Sequence, residues 1–591
     1  MLSSWLLNSV RRSHTQSFQI PTNLAKSLYS IHYASTAKTQ SGSPAFDHTT
    51  DVLVVGSGAA GLTAALRSRF RGLDTLVIEK SDKFGGTSSY SGSSVWIPNN
   101  HLQPQHGIVD SLEAGATYID ALVKDAGPAS SPERRAAYLQ QSPQMAKFLE
   151  EQGFRWIIDA PYPDYHSLEP GACTSSRSIT AARFDLNELR PELRKLLRTP
   201  ADWQPVMSSV EARNLFRMGS SLGTFAKAVR VAVFRTLWDM VRGRKPSVMG
   251  VSLIAQLLNL NVRAGSQLWL DSGLADLITN NAGEVLGATV QKDGRSIRIR
   301  AQRGVMLAAG GFARNPTMRK QYLRQPTNET WSVTAQADTG DAITAGINIG
   351  AEVALMQYGW WMPCLFDNGK PAMDVYARSF PHSIIVDQSG RRYFNESKCY
   401  VDSGNEMLSR NSDSPAIHSW LIIDSRHRKK YMLGRLLPGI TPKSAINSGF
   451  LHKAASLSDL ATQIGVNEDQ LKQTVKRFNG FAESGVDKDF RRGENPYDNV
   501  FSDPKYKPNP NLGTIAKPPY YAVKIYPGDI GTKGGLLTDE YGRVVNKEGN
   551  FIKGLYAAGN TTASVFGSKY PGPGGTLGPA MTFGYIAAEQ M

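Results

Sequence analysis

Three glycines and an acid are the first residues whose types and spacing could do chemistry. Gly56, Gly58 and Gly61 keep the G-x-G-x-x-G spacing, and Glu79 follows Gly58 by 21 residues. Gly56 allows a tight strand-to-helix turn, Gly58 lets the backbone approach a pyrophosphate, and Gly61 lets the helix pack on the strand. Ser57, Ala59 and Ala60 belong to the same turn, and an acid at Glu79 can accept both ribose hydroxyls. A dinucleotide site is therefore expected.

A second cluster follows the acid directly. Lys80, Gly86, Thr87, Ser88, Ser91 and Gly92 lie in a run of glycines and small hydroxyls that offers N–H and O–H donors to a long, deeply bound pyrophosphate. A nicotinamide dehydrogenase has no need of such a run there. The C-terminus supplies a matching half: Gly559 and Asn560 close one strand, and Gly575, Thr576 and Leu577 turn into a helix. That helix N-terminus can lie under a flavin's pyrimidine end, where reduction develops negative charge. Gly310 ends a further apolar strand. The expected cofactor is FAD.

The elements that must position these residues can be read from periodicity. Residues 51–55 and 75–78 are short apolar runs of the buried parallel-strand type, with a helix between them. Residues 110–260 read as mostly helical, with helices over 113–122, 132–152 and 213–245. Strands follow near 268–270, 283–290, 296–300 and 304–312, then a helix headed by Gly340 and Asp341. Residues 383–395 read as a hairpin, 415–435 and 456–480 as helices, and 485–515 as a polar loop. The fold class is α/β: a Rossmann-like FAD-binding domain with an inserted α+β catalytic domain. The expected divisions are an N-terminal extension over 1–46, FAD-binding segments over 47–355 and 533–591, and an inserted domain over 356–532. The catalytic cleft should lie at their junction. Trp360, Trp361 and Phe380 are candidates for an apolar pocket wall, with core packing the alternative.

Composition narrows the partners. The chain has 591 residues, 41% of them hydrophobic, enough for two or three domains. Its three cysteines form no C-x-x-C pair and its ten histidines show no ligand spacing, so no disulfide framework or metal is expected. The net charge of +15 is dispersed and comes with no nucleic-acid recognition motif. Part of the excess lies in residues 1–46, serine-rich and free of acids, a pattern resembling a mitochondrial transit peptide. Cytoplasmic and peripheral membrane locations are the alternatives. The rest lies in 213–245, where Phe225, Val229, Val233, Leu237 and Met240 recur at helical spacing among Lys227, Arg230, Arg235, Arg242 and Arg244. Such a helix either turns its apolar face into the core or lies on an anionic membrane surface.

From about residue 50 to 591 the chain resembles the 3-ketosteroid Δ1-dehydrogenases within the fumarate reductase and succinate dehydrogenase flavoproteins. The motifs that carry the resemblance are 51–61, 85–100, Pro161-Tyr-Pro-Asp-Tyr165 and 554–578 with Tyr570-Pro-Gly-Pro-Gly574; 531–536 also fits. The resemblance implies a proton-abstracting tyrosine at Tyr400, with Tyr165 hydrogen-bonded to it. Tyr570 and the Gly574 amide, four residues apart across a Pro/Gly turn, can converge on one ketone oxygen. The implied reaction is Δ1-desaturation of a 3-ketosteroid or triterpenoid, with an electron acceptor that the sequence does not identify. The alternatives are a Δ4-(5α) ketosteroid desaturase, a fumarate reductase-type enzyme, and a catalytically inert flavin-binding protein.

Overall fold

The structure, a computed structural model, describes residues 45–591 apart from 125, 160, 201–205 and 368. The expected extension over 1–46 therefore lies, except for its last two residues, outside the described residues.

A parallel sheet organises the cofactor end. Strand His48–Val55 pairs in parallel with Thr75–Ile78 on one side and Arg295–Leu307 on the other, and Phe551–Ala557 and Gln267–Trp269 extend the two flanks. Residues 52–55 are buried on both faces, which is why they read as one unbroken apolar run. Helix Ala59–Phe70 leaves the first strand through Gly56–Gly58 and packs against the C-terminal helix Leu577–Gln590. Two close approaches fix this helix, one against its own strand and one against the C-terminal helix. A Cβ on Gly61 would lie 2.0 Å from the Gly56 carbonyl oxygen, and one on Gly584 would lie 2.6 Å from that of Ala60.

Residues 296–300 and 304–312 do not form separate strands. They join as one strand, Arg295–Leu307, whose first half pairs antiparallel with Val285–Lys292 and whose second half enters the parallel sheet. Gly304, at φ +156°, allows the change of course.

A second, antiparallel sheet runs in the order Lys370–Met373, Gly359–Asp367, Tyr520–Thr532, Ser419–Ile423, Ser383–Val386. Two sequence expectations fail in this sheet. Ser383–Val386 pairs with Ser419–Ile423 and not with residues 391–395, so there is no hairpin. Residues 419–423, expected to be helical, are a strand; only Ser425–Lys430 of that stretch is a helix. Both sheet faces are covered. Trp420 and Ile422 pack with helices Leu457–Ile464 and Glu468–Ser484, while Leu421 and Ile423 pack with Phe380, Tyr431 and Phe450. Apolar residues on both faces erase the alternation by which a strand is recognised.

Candidate active site

The dinucleotide turn is built as its glycines require. Gly56 has φ +105°, and a Cβ there would lie 2.4 Å from the Ala308 carbonyl oxygen. Glu79 Oε2 accepts from the Ser57 amide at 3.1 Å and from the Ser57 hydroxyl at 2.6 Å, and Glu79 Oε1 accepts from the Ser81 amide at 3.0 Å. The acid is thus held at the end of its strand, beside the turn. Gly58, which has no side chain, caps helix Ala59–Phe70 and leaves a donor-rich end suited to phosphate. Ser88 Oγ takes the Ala59 amide at 3.1 Å and so joins the second cluster to the first. Lys80 Nζ pairs with Asp341 Oδ2 at 2.5 Å.

A cavity of about 440 Å³ runs from this turn into the molecule. Ser57, Gly58, Ala59, Ala60, Glu79, Lys80, Gly86, Thr87, Ser88, Ser91, Gly92, Gly310, Gly559, Asn560, Thr576 and Leu577 all line it, as does Gly56. Gly61 and Gly575 do not. Gly61 serves the strand–helix contact, and a Cβ on Gly575 would lie 2.9 Å from the Tyr570 ring. Asp338, which the motif reading passed over, also lines the cavity; burial pushes its carboxyl up to about 7.

Tyr570, Tyr400 and Tyr165 meet at the inner end. Their ring centroids are 5.5 Å (Tyr400–Tyr570), 5.1 Å (Tyr165–Tyr570) and 5.6 Å (Tyr165–Tyr400) apart. The Tyr165 hydroxyl donates to the Tyr400 hydroxyl at 3.4 Å. Tyr570 lies beside Tyr400 on the cavity wall, with Gly574 and Thr576 lining the same wall. Burial, together with the neighbouring Tyr570, raises the Tyr400 phenol well above the ordinary tyrosine range, and burial raises Tyr570 as well. Tyr393, close to Tyr400 in sequence, is committed elsewhere: its hydroxyl is 2.7 Å from Ser419 Oγ.

The Tyr570–Gly574 turn is pinned through its backbone. Pro571 O accepts from the Tyr165 amide at 2.9 Å and from Tyr118 Oη at 2.6 Å, and Pro573 O accepts from Ser178 Oγ at 2.6 Å. Gly574, at φ +93°, has no room for a side chain, since a Cβ would lie 2.3 Å from Ser94 O. Behind Tyr165, the buried Asp164 carboxylate accepts from Trp96 Nε1 at 2.7 Å, from the Cys173 amide at 2.9 Å and from Arg177 at 2.8 Å. Arg177 also grips Asp110 at 2.7 and 2.8 Å, so one buried network locks the 161–165 loop against the turn.

The apolar wall differs from the expected one. Trp361 belongs to the core under the parallel sheet, Phe380 stacks on Tyr431 at 4.4 Å, and Trp360 packs behind Tyr570 at 4.9 Å. Phe216, Met362, Val375, Phe501 and Ile530 line the cavity instead. Tyr162, inside the 161–165 motif, lines it too, and the Tyr497 ring, which carries no local sequence cue, lies 4.6 Å from that of Tyr165. Lys80 is the one Lys, Arg or His among the described lining residues, and it lies at the dinucleotide end, paired. No described lining residue at the tyrosine end is a Lys, Arg or His that could pair with a dicarboxylate. Away from the cavity lining, His166, Cys399 and Asp402 bring ligand-type atoms within 4.8 Å of one another, a grouping hidden by their separation in sequence.

A parallel sheet, a glycine-rich turn and a strand-end acid define a dinucleotide-binding flavoprotein. The chain matches the FAD binding domain family over residues 51–577. It is 41% identical over 553 residues to a 3-oxosteroid 1-dehydrogenase of Mycobacterium tuberculosis, covering 91% of this chain and 97% of that one. A second 3-oxosteroid 1-dehydrogenase, from Mycolicibacterium smegmatis, is also 41% identical, covering 91% and 96%. The crystal structure of 3-ketosteroid Δ1-dehydrogenase from Sterolibacterium denitrificans, in complex with 1,4-androstadiene-3,17-dione, superposes with TM-score 0.87 at 37% identity, covering 92% and 99%. The chain belongs to this FAD-dependent 3-oxosteroid 1-dehydrogenase family, and its cofactor is FAD. These relatives also overturn the mitochondrial address, because they come from bacteria, which have no mitochondria.

Proposed function

We infer that the protein is an FAD-dependent 3-oxosteroid 1-dehydrogenase that desaturates the C1–C2 bond of a 3-ketosteroid or a ketone-bearing triterpenoid. The carrying observation is that Tyr570, Gly574 and Tyr400 line one cavity, with the Tyr400 and Tyr570 rings 5.5 Å apart. Two donors on one ketone oxygen stabilise the negative charge that develops when the adjacent carbon loses its proton. Tyr400, ionised and held as phenolate by the hydrogen bond from the Tyr165 hydroxyl, takes the C2 proton and becomes the neutral phenol. Bound FAD supplies the acceptor for the hydride leaving C1, so that C1=C2 forms as the C2 proton and C1 hydride depart.

Residues 356–532 form the substrate module in this reading, and the flanking segments hold the cofactor. An external electron acceptor and contact of the 213–245 region with a membrane are further parts of the proposal. Lys80, so far from the tyrosines, supports a ketone over a dicarboxylate.

The test is anaerobic mixing of the yellow protein with a panel of saturated-ring-A 3-ketosteroids. Flavin bleaching with formation of the 1-ene product is expected. Faster oxidation of reduced viologen by fumarate, without ketosteroid turnover, sinks the reading.

A further inference from the structure

A buried lysine stands behind the cofactor cleft. Strand Tyr520–Thr532 ends one residue before it, and the backbone of Lys533 is fixed on both sides: its amide donates to Tyr358 O at 3.0 Å, and its carbonyl accepts from the Ser564 amide at 3.0 Å. Lys533 is 1% exposed. Three electron-rich groups surround Nζ. Gly567 O accepts from it at 3.2 Å, Lys569 O accepts as well, and the centroid of the Trp360 ring is 3.9 Å away. Among the described residues its hydrogen bonds go to these carbonyls and to no carboxylate. Asp402, the acid whose charge reaches it, pairs with His166 at 3.5 Å instead. Burial lowers the Lys533 pKa well below the usual lysine range. A neutral amine, however, would turn its lone pair on one of three acceptors, whereas an ammonium has a proton for each. The cage therefore favours the charged form.

Trp360 connects this cation to the cleft. Its ring packs behind Tyr570 at 4.9 Å, and its Nε1 donates to Asn560 Oδ1 at 3.1 Å. A small cavity of about 20 Å³, room for about one water, is lined by Lys533, Trp360 and Arg134 and shares Gly559, Asn560 and Thr576 with the cofactor cavity. Arg134 is also 1% exposed and also bonds to carbonyls, those of Ala129 and Ala563. Helix Leu577–Gln590 starts at the same wall and adds the positive end of its dipole. Cations buried without a counter-charge are costly in the resting protein, and the cost falls when negative charge arrives beside them. We propose that Lys533 is a positioning residue for the cofactor: acting through Trp360 and Asn560, its ammonium stabilises the negative charge that reduction brings into the cleft, and so raises the reduction potential of bound FAD. This role requires bound FAD and is indifferent to the substrate.

The experiment is measurement of the flavin midpoint potential in the full-length holoenzyme, by equilibration with reference dyes and with no substrate present. Lys533→Met removes the charge and keeps the length of the side chain. It should weaken reduction at least about tenfold, about 30 mV for a two-electron couple, with FAD still bound at one per chain. Lys533→Gln keeps a donor for the Gly567 and Lys569 carbonyls and should shift the potential as far. A potential unchanged by Lys533→Met overturns the proposal. So does a Lys533→Gln protein that returns to the wild-type potential, which would make hydrogen bonding the role of this side chain. Loss of the fold or of FAD in both variants makes Lys533 a structural cation and overturns it too. Because no substrate is present, failure here leaves the ketosteroid chemistry standing, and flavin bleaching by ketosteroids decides that separately.

Discussion

The Tyr165 hydroxyl donates to the Tyr400 hydroxyl across 3.4 Å, in a chamber where both rings are buried and both touch Tyr570. Burial disfavours the phenolate of Tyr400 and raises its pKa well above the usual range. A base of that kind is mostly protonated at neutral pH, so turnover should climb as pH rises into the alkaline range. The bond from Tyr165 favours the ionised form and holds the shift back. Tyr165→Phe should move the alkaline limb of kcat further up and lower kcat at neutral pH by about 10- to 100-fold. Stopped-flow flavin reduction across pH measures both; a limb that stays in place removes Tyr165 from the proton step.

In the proposed mechanism, Tyr570→Phe removes one of the two donors to the ketone oxygen and leaves the ring in place. The loss expected for one such donor is about 10²- to 10³-fold in kcat. The phenol is buried at the substrate end, so bound FAD should stay at one per chain. Absorbance at the flavin band together with ketosteroid turnover checks both halves. Loss of FAD with loss of activity would mean that the ring supports the cofactor site, contrary to the assigned role.

The cofactor half was legible because its constraints are local. Gly56, Gly58, Gly61 and Glu79 sit in one strand–turn–helix–strand unit, and each spacing has one geometric reason. The Tyr570–Gly574 turn was legible for the same cause, as both donors lie on five consecutive residues. Tyr497 was not, because what brings it to Tyr165 is the docking of distant segments. The apolar wall failed in another way. Trp360 and Trp361 are large, adjacent and suited to either use, yet the pocket is lined by Met362, Val375 and Ile530. Neighbours on a strand point to opposite faces, and size alone does not say which face is open.

Arg177 links two elements that must not move independently. It spans Asp164, beside Tyr165, and Asp110, with all three side chains nearly inaccessible to solvent. Arg177→Met leaves two buried carboxylates without their cation, a change of the class that costs about 3–5 kcal/mol. A lowered denaturant midpoint is expected, with weakened activity even where the fold persists, because Tyr165 loses the support behind it. A midpoint within about 0.5 kcal/mol of wild type would show that hydrogen bonds from Trp96 and the Cys173 amide hold Asp164 unaided.

Asp159 gives the clearest pH signal away from the reacting tyrosines. It is 2% exposed, neither carboxylate oxygen has a hydrogen-bond partner, and the nearest Arg213 nitrogen is 3.9 Å away. Burial pushes its pKa from 3.8 up to about 6, with Arg213 opposing the rise. The folded protein therefore keeps a proton that the unfolded chain has already lost between about pH 4 and pH 6. Stability from this group is greatest below about pH 4, falls as pH rises to about 6, and stays level above that. A shift of this size corresponds to a cost on the order of 2–3 kcal/mol at neutral pH. Asp159→Asn carries no charge to desolvate, so it should raise the melting temperature at pH 7 and leave it nearly unchanged at pH 4. Scanning the melting temperature of both proteins over that range decides the matter: a difference independent of pH would mean that Asp159 ionises in the folded protein as it does in the unfolded chain, with no desolvation cost.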